Sequence, residues 1–317
     1  MNNFEFRVTF QKAKTGMQLV EQTTTRGHER LTLRPHMPPE EIVAELDLPS
    51  AKGLPGLRVG RNRFFLVIAS FDMPTASVTE WIVPYLRTTV HVPGLRAKSS
   101  RTYPRAVMDS GFPGTFDYYF ASVIDQWQSA GSDQIYRLNE DLSHLGLAPN
   151  IVAQRLSESE IDLRVRRIPE RDSNDTVSIA DVGFGVSQTL PVLVALRAAY
   201  EGQLVYIEEP EIHLHPRAQV RLADILVGAA KRGVRVVAET HSSLILRALQ
   251  TIVAKGEVAP EVVRFHWFTR DDRGVTTVRS ATPDENGAFG DWPEDFGDVD
   301  LQSEKDYLDA VESKIHR

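Results

Sequence analysis

Cysteine is absent from the 317 residues, which excludes a disulfide framework and any zinc site built on thiolates. No apolar run approaches the ~18 residues that a membrane span requires. Met1 is followed by polar residues rather than by the apolar core of a signal peptide. The expectation is a cytoplasmic chain with no membrane partner. Positive charge is not in excess either: 36 Lys and Arg against 43 Asp and Glu leave a net charge of −7 and a pI near 5.8. Such a balance argues against a protein that coats nucleic acid over its whole surface, though not against a local basic groove. No internal repeat and no low-complexity tract interrupts the chain. Its length suits one large α/β domain, or a domain with a subdomain, around a substantial core.

The stretch that organises the rest runs from Gly202 to Ser242. The apolar run Leu204-Val205-Tyr206-Ile207 has strand length and stops at the adjacent carboxylates Glu208 and Glu209, followed by Pro210 and Glu211. A second run, Val234-Arg235-Val236-Val237-Ala238, ends in Glu239-Thr240-His241-Ser242, with a helical segment from about Pro216 to Lys231 between the two. Strand, helix and strand make a βαβ unit, and in sheets built from such units ligands bind beyond the carboxyl ends of the strands. Two acids at a strand end can serve phosphoryl chemistry, one orienting a water and one acting toward a metal. Taken alone, the same acids could belong to a solvated loop. The pair His213 and His215, with Glu211 nearby, could instead offer imidazole and carboxylate to a metal ion.

Ahead of the acid strand, Asp181-Val182-Gly183-Phe184-Gly185-Val186-Ser187-Gln188 opens a helix that runs on to about Ala199. Free N–H groups at a helix start bind anions, and glycine lets the backbone come close to a phosphate. A structural helix cap would read the same way.

In this order the motifs resemble the ABC-type ATPases, in particular the SMC, RecF and OLD-like branch of AAA-type proteins. The resemblance implies an α/β fold of the P-loop NTPase kind, with ATP and Mg2+ as ligands. It puts Glu208 where the acid acting indirectly on magnesium sits, a Glu in place of the commoner Asp. It puts Glu209 at the general base, and His241 at the switch residue that reads the γ-phosphate. His213 and His215 fall in the D-loop. Gly183, Gly185, Ser187 and Gln188 form the signature loop that contacts ATP on a second protomer. A homodimer, or a heterodimer with a P-loop-bearing chain, is the implied assembly. Members of the branch are often tied to DNA metabolism or phage defence, so DNA or an effector protein is a further expected partner.

The phosphate-cradling sequence Gly-x-x-x-x-Gly-Lys-Ser/Thr does not occur, and neither does any Gly-Lys dipeptide. The resemblance spans roughly residues 1–280 without that opening strand, loop and helix. The P-loop strand would pair between the strand ending at His241 and one expected at Val262–Phe268. Its loss would expose unpaired strand edges. Three readings follow: an ATPase core in need of a P-loop from a missing N-terminus or a partner, a non-hydrolysing regulatory subunit, and a metal-dependent nuclease using His213, His215 and Glu211.

The remaining sequence is organised around that lobe. Residues 1–92 read as β-rich, with candidate strands at Phe4–Phe10, Met17–Gln22, Leu31–Leu33 and Phe64–Ala69 and a helix at Val78–Leu86. From Gly94 to Arg105 the chain carries four basic residues and no acid, so Arg96, Arg101 and Arg105 are candidates for nucleotide or nucleic-acid phosphate. Residues 93–148 read as a helical insertion, with amphipathic patterns near Phe116–Ile124 and Gln134–Gly146. Residues 149–282 form the signature, acid and histidine lobe, with strands at Ile161–Val165, Thr176–Ala180 and Thr276–Arg279. Residues 283–317 form an acidic tail, seven Asp or Glu and no Lys or Arg from 284 to 300, then a helix near Ser303–Lys314. The tail resembles that of a subgroup of bacterial AAA-type ATPases of uncharacterised function.

Overall fold

A computed structural model describes residues 4–13, 16–26, 28–46, 58–62, 65–69, 87–96, 99–106, 115–166, 175–290, 305–309 and 311–312. The chain divides into two compact units, Met1–Arg87 and Thr88–Arg317.

The described residues of the first unit include antiparallel β structure and a helix. Strand β1 (Phe4–Ala13) pairs with β2 (Gly16–Arg26), and β2 with β3 (Glu29–Leu33). The alternation that marks Phe4–Phe10 as a strand continues past a shift of register between Thr9 and Phe10, a bulge that the period-2 pattern does not announce. Helix α1 (Pro39–Leu46) starts on the second proline of the Pro38-Pro39 pair, with Glu40 and Glu41 in its first turn. Proline at the first helical position and acids at the positive end of the dipole favour a start there. A hairpin of β4 (Arg58–Asn62) and β5 (Phe65–Ala69) follows. Leu19, Leu33, Met37, Ile42, Leu66 and Ile68 form its core. The buried Gln22 side chain ties β2 to β5, its Nε2 donating to Leu66 O at 3.0 Å while Leu66 N donates to its Oε1 at 2.8 Å. The helix expected at Val78–Leu86 lies outside the described residues.

The second unit is α/β, with a parallel sheet at its centre. Strands β6 (Val90–Val92), β11 (Leu204–Glu208) and β12 (Arg235–Glu239) lie parallel in the order β12-β11-β6. The expected βαβ unit is present, with helix α5 (Pro216–Lys231) between β11 and β12. Strand β6 falls inside the segment 1–92 that the sequence groups with the amino-terminal part, yet it pairs with β11 in the second unit. Three residues are too short for periodicity to reveal.

A second, antiparallel sheet has the order β10-β9-β7, with β8 also on β9: β7 is Tyr103–Pro104, β8 Ile151–Arg155, β9 Glu160–Arg166 and β10 Thr176–Ser178. Beyond β10 the chain turns into a 3-10 helix at Ile179–Asp181, with Ser178 accepting from Ala180 N. The expected strand therefore stops at Ser178 rather than Ala180. Helices α2 (Phe120–Ser129) and α3 (Asp133–Leu145) occupy the stretch expected to be helical.

Helix α4 (Phe184–Ala198) is mostly apolar, has no polar face, and is buried from Val186 to Leu196, as expected of a helix with protein on every side. It packs against β6, β11, α2, α3 and α5. Helix α6 (Ser243–Ala254) follows β12, and β13 (Phe265–Arg270) pairs antiparallel with β14 (Thr276–Ala281). The strand expected at Val262–Phe268 thus begins later, because Pro260–Val262 forms a 3-10 turn. It is half of a hairpin, and among the described residues β12 has β11 as its sole strand neighbour. Of the carboxyl-terminal helix, the described residues 305–309 and 311–312 are helical.

Candidate functional site

Parallel pairing fixes what comes together. Glu208 is in register with Glu239, and Ile207 with Val92, so the three strands end at one rim. The Glu209 N–H donates to Glu239 O at 2.8 Å, extending the ladder by one residue. There the backbone leaves the strand with a positive φ of 43° at Glu209. A left-handed conformation at a non-glycine residue is uncommon and clusters at functional sites. It aims the Glu209 carboxylate at the β12–α6 connection, where its Oε1 lies 3.3 Å from His241 Nε2.

The two adjacent acids sit in unlike surroundings. Glu208 accepts from Gly94 N at 2.9 Å and lies 3.0 Å from His91 Nε2. Those two contacts, the Gly94 amide first, hold its carboxyl below the ordinary range. Glu209 is pushed up, by burial first and then by the nearby Glu211 carboxylate, with His241 opposing the rise. One acid is kept as a carboxylate and its neighbour is made more basic, the kind of split that separates roles in acid–base sites.

The Glu208 shift carries a stability consequence. A depressed carboxyl contributes stability above its unfolded value, and that contribution is lost as pH falls through the folded value. We expect Glu208→Gln to flatten the fall of Tm with acidification below about pH 4, measured by thermal melts across pH. Parallel wild-type and variant curves would remove Glu208 from the acid response.

Around the acids, Arg96 lies buried beneath the turn, its Nη2 donating to Glu208 O at 2.7 Å and Glu209 O at 3.0 Å. Burial depresses its pKa to about 10 against the raising influence of four carboxylates. Glu211 is also buried, its Oε1 accepting from Thr240 Oγ1 at 2.5 Å and from His241 N at 3.2 Å. On the face of the sheet opposite α4, His91 stacks on Tyr206 at 5.2 Å. The Tyr206 hydroxyl donates to Glu239 at 2.8 Å, and this bond is the first cause of its rise to about 12.

The glycine-bearing helix start reaches the same neighbourhood through the β11–α5 loop. A Cβ at Gly185 would lie 3.4 Å from His213 O, and the Phe184 and His213 rings are 5.5 Å apart. His213 also has a positive φ, 64°. Gly183 is the N-cap of α4 and is exposed, as is Phe184. Ser187 and Gln188 are buried, and the Ser187 hydroxyl donates to Phe184 O at 3.2 Å. His215 caps α5, its Nδ1 accepting from Arg217 N at 3.3 Å. The imidazoles of His213 and His215 thus do different jobs. Among the described residues no three His, Asp or Glu side chains group closely enough to hold a metal ion, so the triad of His213, His215 and Glu211 is not assembled.

Arg101 and Arg105 are held by acids other than those of the rim. Arg101 makes a two-pronged pair with Asp181 at 2.7 and 3.0 Å, and Arg105 joins Arg155 on the buried Asp125. Nothing local in the sequence marks His91 or Tyr206 as part of the site, and Gly94 has only an indirect cue. The Pro-Gly turn after a short apolar strand was the available signal, since such a turn brings backbone close to whatever the neighbouring strand presents.

The class that this architecture defines is an α/β domain with acids and an imidazole at the carboxyl rim of a parallel sheet. Residues 95–247 are similar to a family model described as "AAA domain, putative AbiEii toxin, Type IV TA system", a match that covers less than half of the chain.

No curated protein matches the chain. Among solved structures, one described by "ATP-driven dimerization and DNA stimulated activation of SMC ATPases" matches at 13% identity and a TM-score of 0.34, over 49% of this chain and 88% of that one. An SmcHead bound to the C-winged helix domain of ScpA matches at 13% and 0.36, over 51% of this chain and 48% of that one. An Smc head with an extended coiled coil, bound to the C-terminal domain of ScpA derived from Pyrococcus furiosus, matches at 12% and 0.34, over 59% of this chain and 40% of that one. The chain thus spans less than half of the latter two.

Proposed function

We propose that this chain is the acid, switch and signature part of an ABC/SMC-like ATPase, and that a P-loop from polypeptide outside these 317 residues completes the site. The observation that carries the reading is the rim itself: a carboxylate made more basic, 3.3 Å from an imidazole, beside a second acid kept ionised. Glu209 orients and deprotonates the attacking water, and His241 shares that water or meets the γ-phosphate. A carboxylate made more basic is better suited to this than an ordinary one. Glu208, acceptor-only and about one-third exposed, fits an indirect hold on Mg2+ through its water shell. When bound, that ion neutralises phosphate oxygens.

The parallel sheet supports the need for completion. Such sheets are normally covered on both faces, and α4 covers one. On the other face Val237 remains 50% exposed, beside Tyr206 and Glu239. A strand along β12 and a helix over that face would complete the layer. The exposed start of α4, packed on the β11–α5 loop, suits a dimer in which it faces a nucleotide held by the second protomer.

Titration with a fluorescent ATP analogue and Mg2+ tests the reading. The chain alone should show no saturable binding below about 1 mM, an affinity ceiling of roughly 4 kcal/mol. The same chain joined to, or co-purified with, a segment bearing Gly-x-x-x-x-Gly-Lys-Ser/Thr should bind and hydrolyse ATP. Tight binding by the chain alone would refute the need for a P-loop. Binding without turnover in the completed preparation would favour a regulatory, non-hydrolysing subunit.

A further inference from the structure

Beneath the rim lie two charged side chains that the reading above leaves without a role. Arg96 and Glu211 are 8% and 7% exposed. Charges so deeply placed are costly unless paired or hydrogen-bonded. Arg96 uses one nitrogen, Nη2, to grip the carbonyls of Glu208 and Glu209, the two oxygens that flank the left-handed turn. Its Nε and Nη1 are buried with no hydrogen-bond partner. Glu211 uses one oxygen, Oε1, to hold Thr240 and the His241 amide, its Oε2 is likewise buried without a donor, and the Glu209 carboxyl lies against this carboxylate. Each has capacity of the kind the other lacks. No ion pair joins the two directly, but of the carboxylates acting on Arg96 through the interior, Glu211 comes first, ahead of Asp117, Glu208 and Glu209.

We infer that Arg96 and Glu211 are a coupled pair of positioning residues, Arg96 fixing the peptides on either side of Glu209 and Glu211 fixing the peptide that carries His241. Neither touches the reacting atoms. Their attraction through the interior ties three separate segments, the loop after β6, the turn after β11 and the connection after β12, into one body. Without it the 3.3 Å approach of His241 to Glu209 would depend on two exposed or half-exposed side chains alone. The role in hydrolysis rests on the proposed ATPase reading, whereas the coupling itself does not.

A double-mutant cycle on the full chain tests the pair, with Arg96→Met, Glu211→Gln and both together. Glutamine keeps an oxygen for Thr240 and the His241 amide, so Glu211→Gln can fold even where Arg96→Met does not. Each single change strands a buried charge and should lower Tm by about 10 °C. The double variant should lose clearly less than the sum, by roughly 5 °C or more. Amide exchange at His241 and Leu214 should quicken at least about tenfold in either single variant, while amides inside α4 keep their protection. In a P-loop-completed preparation, Glu211→Gln should lower kcat per nucleotide-binding site with KM for ATP unchanged, the sites being counted by nucleotide titration so that a loss of folded protein cannot produce the same fall. Additive Tm losses, or unaltered exchange at His241, would overturn the pairing. Failure of every completed preparation to bind ATP, with the cycle still non-additive, would instead sink the ATPase reading and leave the pair standing.

Discussion

Glu209→Gln is expected to reduce ATP turnover by roughly 10²–10⁴-fold in a P-loop-completed preparation, the range that a positioned general base contributes. Glutamine matches glutamate in shape, so the turn and the approach to His241 survive while the proton acceptor is lost. Because the residue reaches the chemistry rather than the nucleotide's body, KM for ATP should stay within a few fold of wild type. The pH profile gives an independent check. Burial and Glu211 raise the Glu209 carboxyl, so the basic form is lost at a higher pH than for an unperturbed glutamate. Turnover should therefore climb with pH along an acid limb displaced upward, and the variant's residual rate should lack that limb. Steady-state kinetics from about pH 4 to pH 9 would show both effects. A variant that turns over like wild type would mean that the water is activated by another group.

The second large effect is on stability, and comes from the ion pair between α3 and α4. Arg197 meets Asp141 through two parallel bonds of 2.6 Å, with the side chains 14% and 8% exposed. Bidentate geometry makes this among the stronger kinds of pair. Arg197→Met leaves the Asp141 carboxylate buried without its partner, at a cost of about 3–5 kcal/mol, or on the order of 10 °C in Tm for a domain of this size. Arg232 stands near enough to feel both groups, but its own donors go to Leu196 O and Gly228 O. Pairing the change with Asp141→Leu should recover most of the loss, since two well-packed apolar groups avoid the desolvation penalty altogether. Thermal melts followed by circular dichroism suffice to compare the three variants. A single-variant shift under about 2 °C would show that water reaches the pair.

Much of the central sheet was legible because parallel strands advertise themselves. Both β11 and β12 are nearly continuous apolar runs that end at an acid, β11 with Val205 and Ile207 buried and β12 with its residues half-buried or exposed. The helix between them starts on Pro216 and is amphipathic, so both of its signals are local. What the sequence hid was non-local. Strand β6 is three residues long and sits more than a hundred positions before its partner β11, and nothing in Val90-His91-Val92 says which strand it will join. Similarly, Arg96 reads as one cation in a basic run, and its burial follows only once the turn at Glu208 and Glu209 is folded over it. Arg101 and Arg105 carry the same local signal and meet Asp181 and Asp125 instead. A linear pattern of charge records which residues are basic, whereas the partner is set by three-dimensional contact.

Glu209 and His213 bracket a five-residue segment with φ values of 43° and 64°. For side chains other than glycine, asparagine or aspartate such angles are disfavoured by roughly 1–2 kcal/mol each. Backbone energetics alone would therefore select glycine at both ends. A glutamate and a histidine persist there at the expense of heat resistance, so the connection is one place where drift toward a more robust fold and retention of a fixed side-chain direction pull against each other.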